Sequence, residues 1–158
     1  MSAEAERPAT LKFRSAGLIQ RGEEVLLHRG LEDDFWTLPG GTVEPGERSD
    51  AALIREIDEE LHVAARAVRL LWVVENRFTY LARRFHEIGF YWLLDVSERT
   101  WSQQRWPDHR GEFEMVEPGI IFRWASPPEL ARLTIKPIFL TRGLQDLPAV
   151  TVHLQIDE

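Results

Sequence analysis

The apolar positions of the chain change period several times, and each change marks an element. Leu11, Phe13, Ser15, Gly17 and Ile19 fall on every second residue, the spacing of a strand, although two of the five are small. Gly22-Glu23 is a turn signal, and Val25-Leu26-Leu27 reads as a buried strand. Phe35-Trp36-Thr37-Leu38 predicts another short strand, which Pro39-Gly40-Gly41 then breaks. From Arg48 to Leu61 the period becomes helical, with Leu53, Ile57 and Leu61 one turn apart and Ile54 beside them. Val68 to Val74 is mostly apolar. Ile88, Phe90, Trp92, Leu94 and Val96 alternate, which predicts a strand with one buried face, and Ala82-Arg83-Arg84 marks the turn of a hairpin joining the two.

Residues 97–118 are polar and irregular, a loop length that compact domains tend to reserve for function. Ile120 to Trp124 predicts one more strand. Ser126-Pro127-Pro128-Glu129 has capping-box spacing with proline at the first helical position, so a short helix should begin there. Pro137 opens a last helix to about Leu144, and Val150 to Leu154 reads as a closing strand. The order strands, helix, strands, helices predicts an α/β fold, a mixed sheet with helices packed on its faces. Residues 1–9 read as a loose tail and 10–158 as one domain, since 158 residues suffice for one core and are too few for two.

Composition narrows the function classes. A hydrophobic fraction of 44% and a charged fraction of 28% are those of an ordinary globular protein. The absence of cysteine excludes a disulfide framework, a thiolate metal site and a cysteine nucleophile together. No apolar run is long enough to span a bilayer, and Met1 to Thr10 lacks the regions of a signal peptide, so a cytoplasmic location is expected. The net charge of -7 argues against a broad nucleic-acid-coating face. Most of that charge lies between Gly41 and Val63, where seven acids meet two bases.

Glu56, Glu59 and Glu60 stand at i, i+3 and i+4, so they share one helix face within an arc of roughly 100°. Leu53, Ile57 and Leu61 lie about 120° round from it, which gives the helix an apolar side and a separate carboxylate ridge. Three like charges at this spacing repel one another, and a divalent cation would turn repulsion into binding. The ligands are hard oxygens, so Mg²⁺ or Mn²⁺ is the expected metal. An acidic ridge alone is equally a solvated helix face, and it is the surrounding frame that gives it meaning. Gly40-Gly41 lets the backbone turn sharply and point a carbonyl at the helix. Arg55 follows Glu47 after seven residues and directly precedes Glu56, placed for a bidentate pair that would orient helix and loop.

With this spacing the stretch resembles the Nudix box, Gly-x5-Glu-x7-Arg-Glu-U-x-Glu-Glu-x-Gly-U, where U is a bulky aliphatic residue. Here it reads Gly41, Glu47, Arg55, Glu56, Ile57, Glu59, Glu60, His62 and Val63, and only His62 departs, standing where the family has glycine. Trp36-Thr37-Leu38-Pro39-Gly40 also resembles the family's approach to the box, and the element order over residues 11–154 resembles a whole Nudix domain, an α/β/α sandwich. The resemblance implies that Glu56, Glu59 and Glu60 bind the metal with the backbone carbonyl of Gly40. It also implies that an acid of the 97–118 loop, best placed at Glu117, completes the site. The reaction implied is water attack on a phosphoanhydride of a nucleoside diphosphate linked to another group. The general base differs among members, so Glu56, Glu59 and an acid outside the box stay open.

Glycine at the position of His62 would end the helix in a left-handed conformation, which histidine tolerates at modest cost. Arg29, Arg77 and Arg84 are candidate phosphate grips, and Trp36 and Phe78 candidate stacking partners for a base, each also readable as an ordinary surface arginine or core aromatic. Tyr80, placed 17 residues after Val63, resembles members that hydrolyse dinucleoside polyphosphates, and it also fits plain strand alternation with Phe78. The expected substrate is therefore a nucleoside or dinucleoside polyphosphate. ADP-ribose or a nucleotide sugar remains the alternative within the fold, and a non-catalytic nucleotide-binding module the alternative outside enzymology. Dimers are common in the family, which leaves a homodimer open.

Overall fold

The computed structural model describes residues 7–97, 112–115 and 119–158. Its elements in chain order are β1 (Thr10–Leu18), β2 (Gln20–Arg21), β3 (Glu24–Gly30), β4 (Gly40–Thr42), α1 (Ser49–Leu61), β5 (Ala65–Tyr80) and β6 (Arg83–Val96). There follow β7 (Glu112–Met115), β8 (Ile120–Ala125), α2 (Pro127–Leu130), α3 (Leu140–Gly143) and β9 (Val152–Asp157). They form two sheets. One is mixed and five-stranded, in the order β4-β1-β6-β5-β9, with β1 parallel to β6 and β5 parallel to β9. The other is antiparallel and four-stranded, in the order β2-β3-β8-β7.

Strand alternation divides the interior in two. Leu26, Leu94, Val96, Phe122 and Trp124 pack with Leu53, Ile57 and Leu61 of α1. Val25, Leu27, Leu71, Trp72 and Tyr91 face the other way and meet Leu130 of α2 and Leu140 of α3. Helices on both sides of a mixed sheet are the expected α/β/α arrangement. Helix α1 forms where its period-four apolar stripe predicts, and burying Leu53 and Ile57 completely, at roughly 1.5–3 kcal/mol each, fixes which side faces the strands. Ser126 and Glu129 form the expected capping box at the start of α2, each bonding the other's end of the first turn.

Several expectations shift. Phe35–Leu38 is not a strand: it makes isolated bridges, His28 to Thr37 and Trp36 to Ile135, and the strand β4 begins instead at Gly40, where a break was expected. The reason is close approach. A side chain at Gly40 would place its Cβ 2.0 Å from the Ser15 carbonyl oxygen, so only glycine lets this backbone pair with β1. The hairpin turn sits one residue earlier than expected, at Leu81 and Ala82, both with positive φ, and its arms are far longer. The Pro137 helix shortens to Leu140–Gly143, and the closing strand starts at Val152. Lastly, β6 does not bury only its apolar alternation. Between residues 87 and 91 the deepest positions are Glu87, Gly89 and Tyr91, while Ile88 and Phe90 are half-buried.

Candidate active site

Helix α1 carries the carboxylate ridge, and β4 lies against it. A Cβ built on Gly41 would fall 2.3 Å from the Glu56 carboxyl carbon, so the glycine makes room for that side chain. Arg55 organises the outer half. Its Nε donates to Glu47 Oε2 at 2.9 Å and its Nη2 to Glu47 Oε1 at 2.8 Å, the two-pronged pairing anticipated from spacing. Nη1 donates to Glu56 at 3.1 Å and approaches Glu59 at 3.4 Å, and Nη2 also reaches the Thr42 carbonyl. One guanidinium thus ties the loop after β4 to three acids. The hydrogen bond from Arg55 holds the Glu47 carboxyl below its ordinary range, and the same contact raises Arg55 further above neutrality.

Glu60 has the opposite surroundings. It turns inward, 7% exposed, and its Oε2 is buried with no hydrogen-bond partner among the described residues. Burial, followed by the negative charge of Glu56, pushes its carboxyl up to about 8. His28, on β3, lies beside it with Nδ1 3.7 Å from Glu60 Oε2; burial and the charge of Arg14 push that imidazole down to about 3. The two therefore face each other as neutral groups near pH 7. That combination suits an incoming hard cation. The donors are oxygens, and one is orphaned in a dry setting. Among the described residues no three acidic or histidine side chains already converge as a cage. Arg55 holds Glu56 and Glu59 outward while Glu60 points in.

The helix ends as the departure from the box requires. His62 adopts φ 56° and ψ 37°, the left-handed conformation, and its N–H bonds the Asp58 carbonyl at 2.9 Å. Histidine fills the glycine role without disturbing the ridge.

Beyond His28 opens a cavity of about 350 Å³ under the β5–β6 hairpin. Of the sequence-predicted substrate residues, Arg29, Phe78 and Tyr80 line it. Tyr80 donates its hydroxyl to Asp33, which also accepts from the Gly30 N–H, and its ring meets Phe35 edge-on at 6.1 Å. Trp36 is placed otherwise: it is buried in the core beneath the guanidiniums of Arg29 and Arg123, at 5.2 and 6.0 Å. Arg77 and Arg84 line a separate surface concavity, where Arg77 is gripped by both oxygens of Asp157. Neither lines the cavity beside His28. Gly40 is buried on β4, and Glu117 lies outside the described residues.

Sequence reasoning missed His28, Arg14, Lys12, Asn76 and Glu87, all in the cavity wall. One signal was present: Lys12 and Arg14 sit between Leu11, Phe13 and Ser15, and the strand turns those two cations inward to the cavity while Leu11 and Phe13 are exposed.

The family model described as NUDIX domain matches residues 11–141. The chain is 44% identical over 72 residues to diphosphoinositol polyphosphate phosphohydrolase 3-alpha of Mus musculus, covering 45% of this chain and 42% of that one. It is 39% identical over 72 residues to diphosphoinositol polyphosphate phosphohydrolase 2 of Homo sapiens, covering 46% and 38%. These matches span less than half the length of the curated relatives. Among solved structures it is similar to a MutT NUDIX hydrolase from Burkholderia pseudomallei, at 26% identity and a TM-score of 0.61, over 86% of this chain and 97% of that one. An ADP-ribose pyrophosphatase from Streptococcus suis shares the fold at 14% identity and a TM-score of 0.60, over 92% and 99%.

Proposed function

The chain belongs to the Nudix family, and on that premise we propose that it hydrolyses a phosphoanhydride bond with a bound divalent cation, acting on a nucleoside or dinucleoside polyphosphate. The observation that carries this is the buried, unpartnered Oε2 of Glu60 beside Glu56 and Glu59. Glu56, Glu59 and Glu60 would hold the ion with the Gly40 carbonyl. Glu117 is the proposed additional ligand. Bound there, Mg²⁺ or Mn²⁺ supplies charge neutralisation at the bridging and leaving oxygens. Arg55 keeps Glu47 and Glu56 in register, and a ridge carboxylate, Glu56 or Glu59, orients and deprotonates the attacking water. Arg29, Phe78 and Tyr80 face the substrate from the cavity wall. No helix of the described residues is long and apolar enough to cross a membrane; a cytoplasmic location belongs to the proposal.

A second reading has its own support. Lys12, Arg14, Arg29 and Lys136 all line the cavity, and such a cluster suits a ring bearing several phosphates, as the names of the curated relatives suggest. Both readings are tested by incubating the protein with nucleoside triphosphates, dinucleoside polyphosphates, ADP-ribose, nucleotide sugars and a diphosphoinositol polyphosphate, with Mg²⁺ or Mn²⁺, and separating the products. Metal-dependent cleavage of a nucleotide class is expected. Cleavage of the inositol compound alone would replace the first reading with the second, and no cleavage of any substrate would overturn both.

A further inference from the structure

The cavity beside Glu60 has a polar floor whose groups are unevenly used. Asp33 is occupied by Tyr80 and Gly30. Glu158 is occupied as well: its Oε1 accepts from the Ile138 N–H at 2.8 Å and lies 3.6 Å from the Lys136 ammonium, and its Oε2 accepts from Asn76 Nδ2 at 2.9 Å. Arg14 donates to the Leu38 carbonyl and Arg29 to the Asp33 carbonyl. Besides His28 Nδ1, which faces Glu60, two acceptors are left over. Glu87 is 5% exposed and lines the cavity with Lys12 across from it on β1, and among the described residues no hydrogen bond or ion pair holds its carboxylate. Asn76, its cross-strand partner, has spent its donor on Glu158 and keeps Oδ1 buried and unpartnered.

A carboxylate that faces a cavity from a buried position on a strand, with no donor bonded to it, is placed to take the hydrogen bonds of a ligand. Its chemistry dictates what that ligand must offer: adjacent N–H donors, with no lone pair between them. The walls are aromatic, Phe35, Phe78 and Tyr80, and the volume is that of a small-molecule site. Resting on the nucleotide reading above, we propose that this cavity reads a guanine-type base, with Glu87 accepting from the ring N1–H and the exocyclic amine. Asn76 Oδ1 adds acceptor character at the same edge. Adenine would turn a ring lone pair toward the carboxylate and is rejected; uracil offers a single N–H flanked by two carbonyl oxygens. Hypoxanthine keeps the ring N–H and lacks the amine, so it falls between. His28, which bridges the cavity and Glu60, puts the phosphate end of such a nucleotide on the side of the carboxylate ridge.

The test uses guanosine, inosine and adenosine 5′-monophosphates, which carry no anhydride to cleave, titrated calorimetrically into the whole protein, with inositol hexakisphosphate as a fourth probe. The expected order is guanosine, then inosine, then adenosine, with about 10- to 100-fold between the extremes, the discrimination that charge-assisted hydrogen bonds carry. Glu87→Gln, of equal size, should bring guanosine and adenosine to within a few-fold. Equal affinities in the natural protein, or a guanosine preference that survives Glu87→Gln, would overturn the base reading; the inosine comparison needs no variant and stands if Glu87→Gln fails to fold. Equal affinities together with nucleotide hydrolysis remove this inference alone. Binding of inositol hexakisphosphate with none of the nucleotides removes the nucleotide reading as well.

Discussion

The two halves of the α1 carboxylate ridge, a single turn apart, are built to opposite electrostatic plans. On the outer half Glu47, Glu56 and Glu59 surround Arg55, which neutralises them and is itself fixed by them. On the inner half Glu60 is buried against a neutral His28, with its proton held far more tightly than an ordinary carboxyl would hold it. The protein bonds its own cation to the first set, whereas over the second only the charge of Arg14 acts and no side chain bonds the inward oxygen. Charge compensation at the outer half orders the site permanently. The missing compensation at the inner half leaves a demand that only a ligand meets.

Removing that demand should have the largest effect. Glu60→Gln is expected to lower metal-dependent turnover on the order of 10²–10⁴-fold while leaving the fold intact, read by steady-state kinetics and circular dichroism. Breaking the outer half instead, with Arg55→Ala, frees Glu47, Glu56 and Glu59 from their common partner. A loss of about 10–100-fold in metal affinity should follow, the usual size for a residue that orients ligands, measured by titration calorimetry. Arg55→Lys should recover little, because a single ammonium cannot make both prongs to Glu47.

The contrast also has a pH signature. Glu60 binds its proton more tightly folded than unfolded, so its contribution to stability is complete at low pH and is lost as pH rises toward about 8. His28 works the other way: its folded value of about 3 lies below its unfolded one, so its contribution is lost as pH falls through the acid range. Between about pH 6.5 and 8 only the Glu60 effect is active. The metal-free protein should there lose up to about 2 kcal/mol of unfolding free energy, by denaturant titration, and Glu60→Gln should flatten the slope. Saturating Mg²⁺ should oppose the loss, since binding expels the same proton.

The smallest effect is expected where neither half is touched. His62→Gly relieves a left-handed non-glycine residue and should stabilise the helix end by about 0.5 kcal/mol with unchanged metal affinity. A change in metal affinity would show that the helix end is coupled to the ridge.

The ridge was legible in the sequence because its chemistry is local. Glu56, Glu59 and Glu60 meet through helical periodicity alone, and Arg55 finds Glu47 across a short loop. The cavity was not legible because it is assembled from β1, β3, β5 and β6, whose partners are fixed by sheet register rather than by spacing. Glu87 shows the difficulty most clearly. It precedes a run of alternating apolar residues that announces a strand, and nothing in that run says that the other face, Glu87-Gly89-Tyr91, is the more deeply buried. Trp36 took the second of its two readings: it is a core aromatic, buried under two arginines, and part of the floor on which Arg29 rests. Phe35–Leu38 looked like a strand by composition, yet a ladder needs consecutive pairs with at least one neighbour, and this stretch makes a single isolated bridge on each side.

The pairing of β1 with β6 has a kinetic consequence. Phe13 lies opposite Ile88, and Ser15 opposite Phe90, so the centre of the larger sheet joins stretches of chain far apart in sequence. On a ribosome α1, with its carboxylate ridge, would emerge before β6 exists to pair with β1, and before Leu94 and Phe122 can cover Leu53 and Ile57. Such non-local pairing places folding toward the millisecond-to-second range. The acidic helix is thus synthesised early and completed late, and its metal affinity should appear only once the second arm of the hairpin has been made.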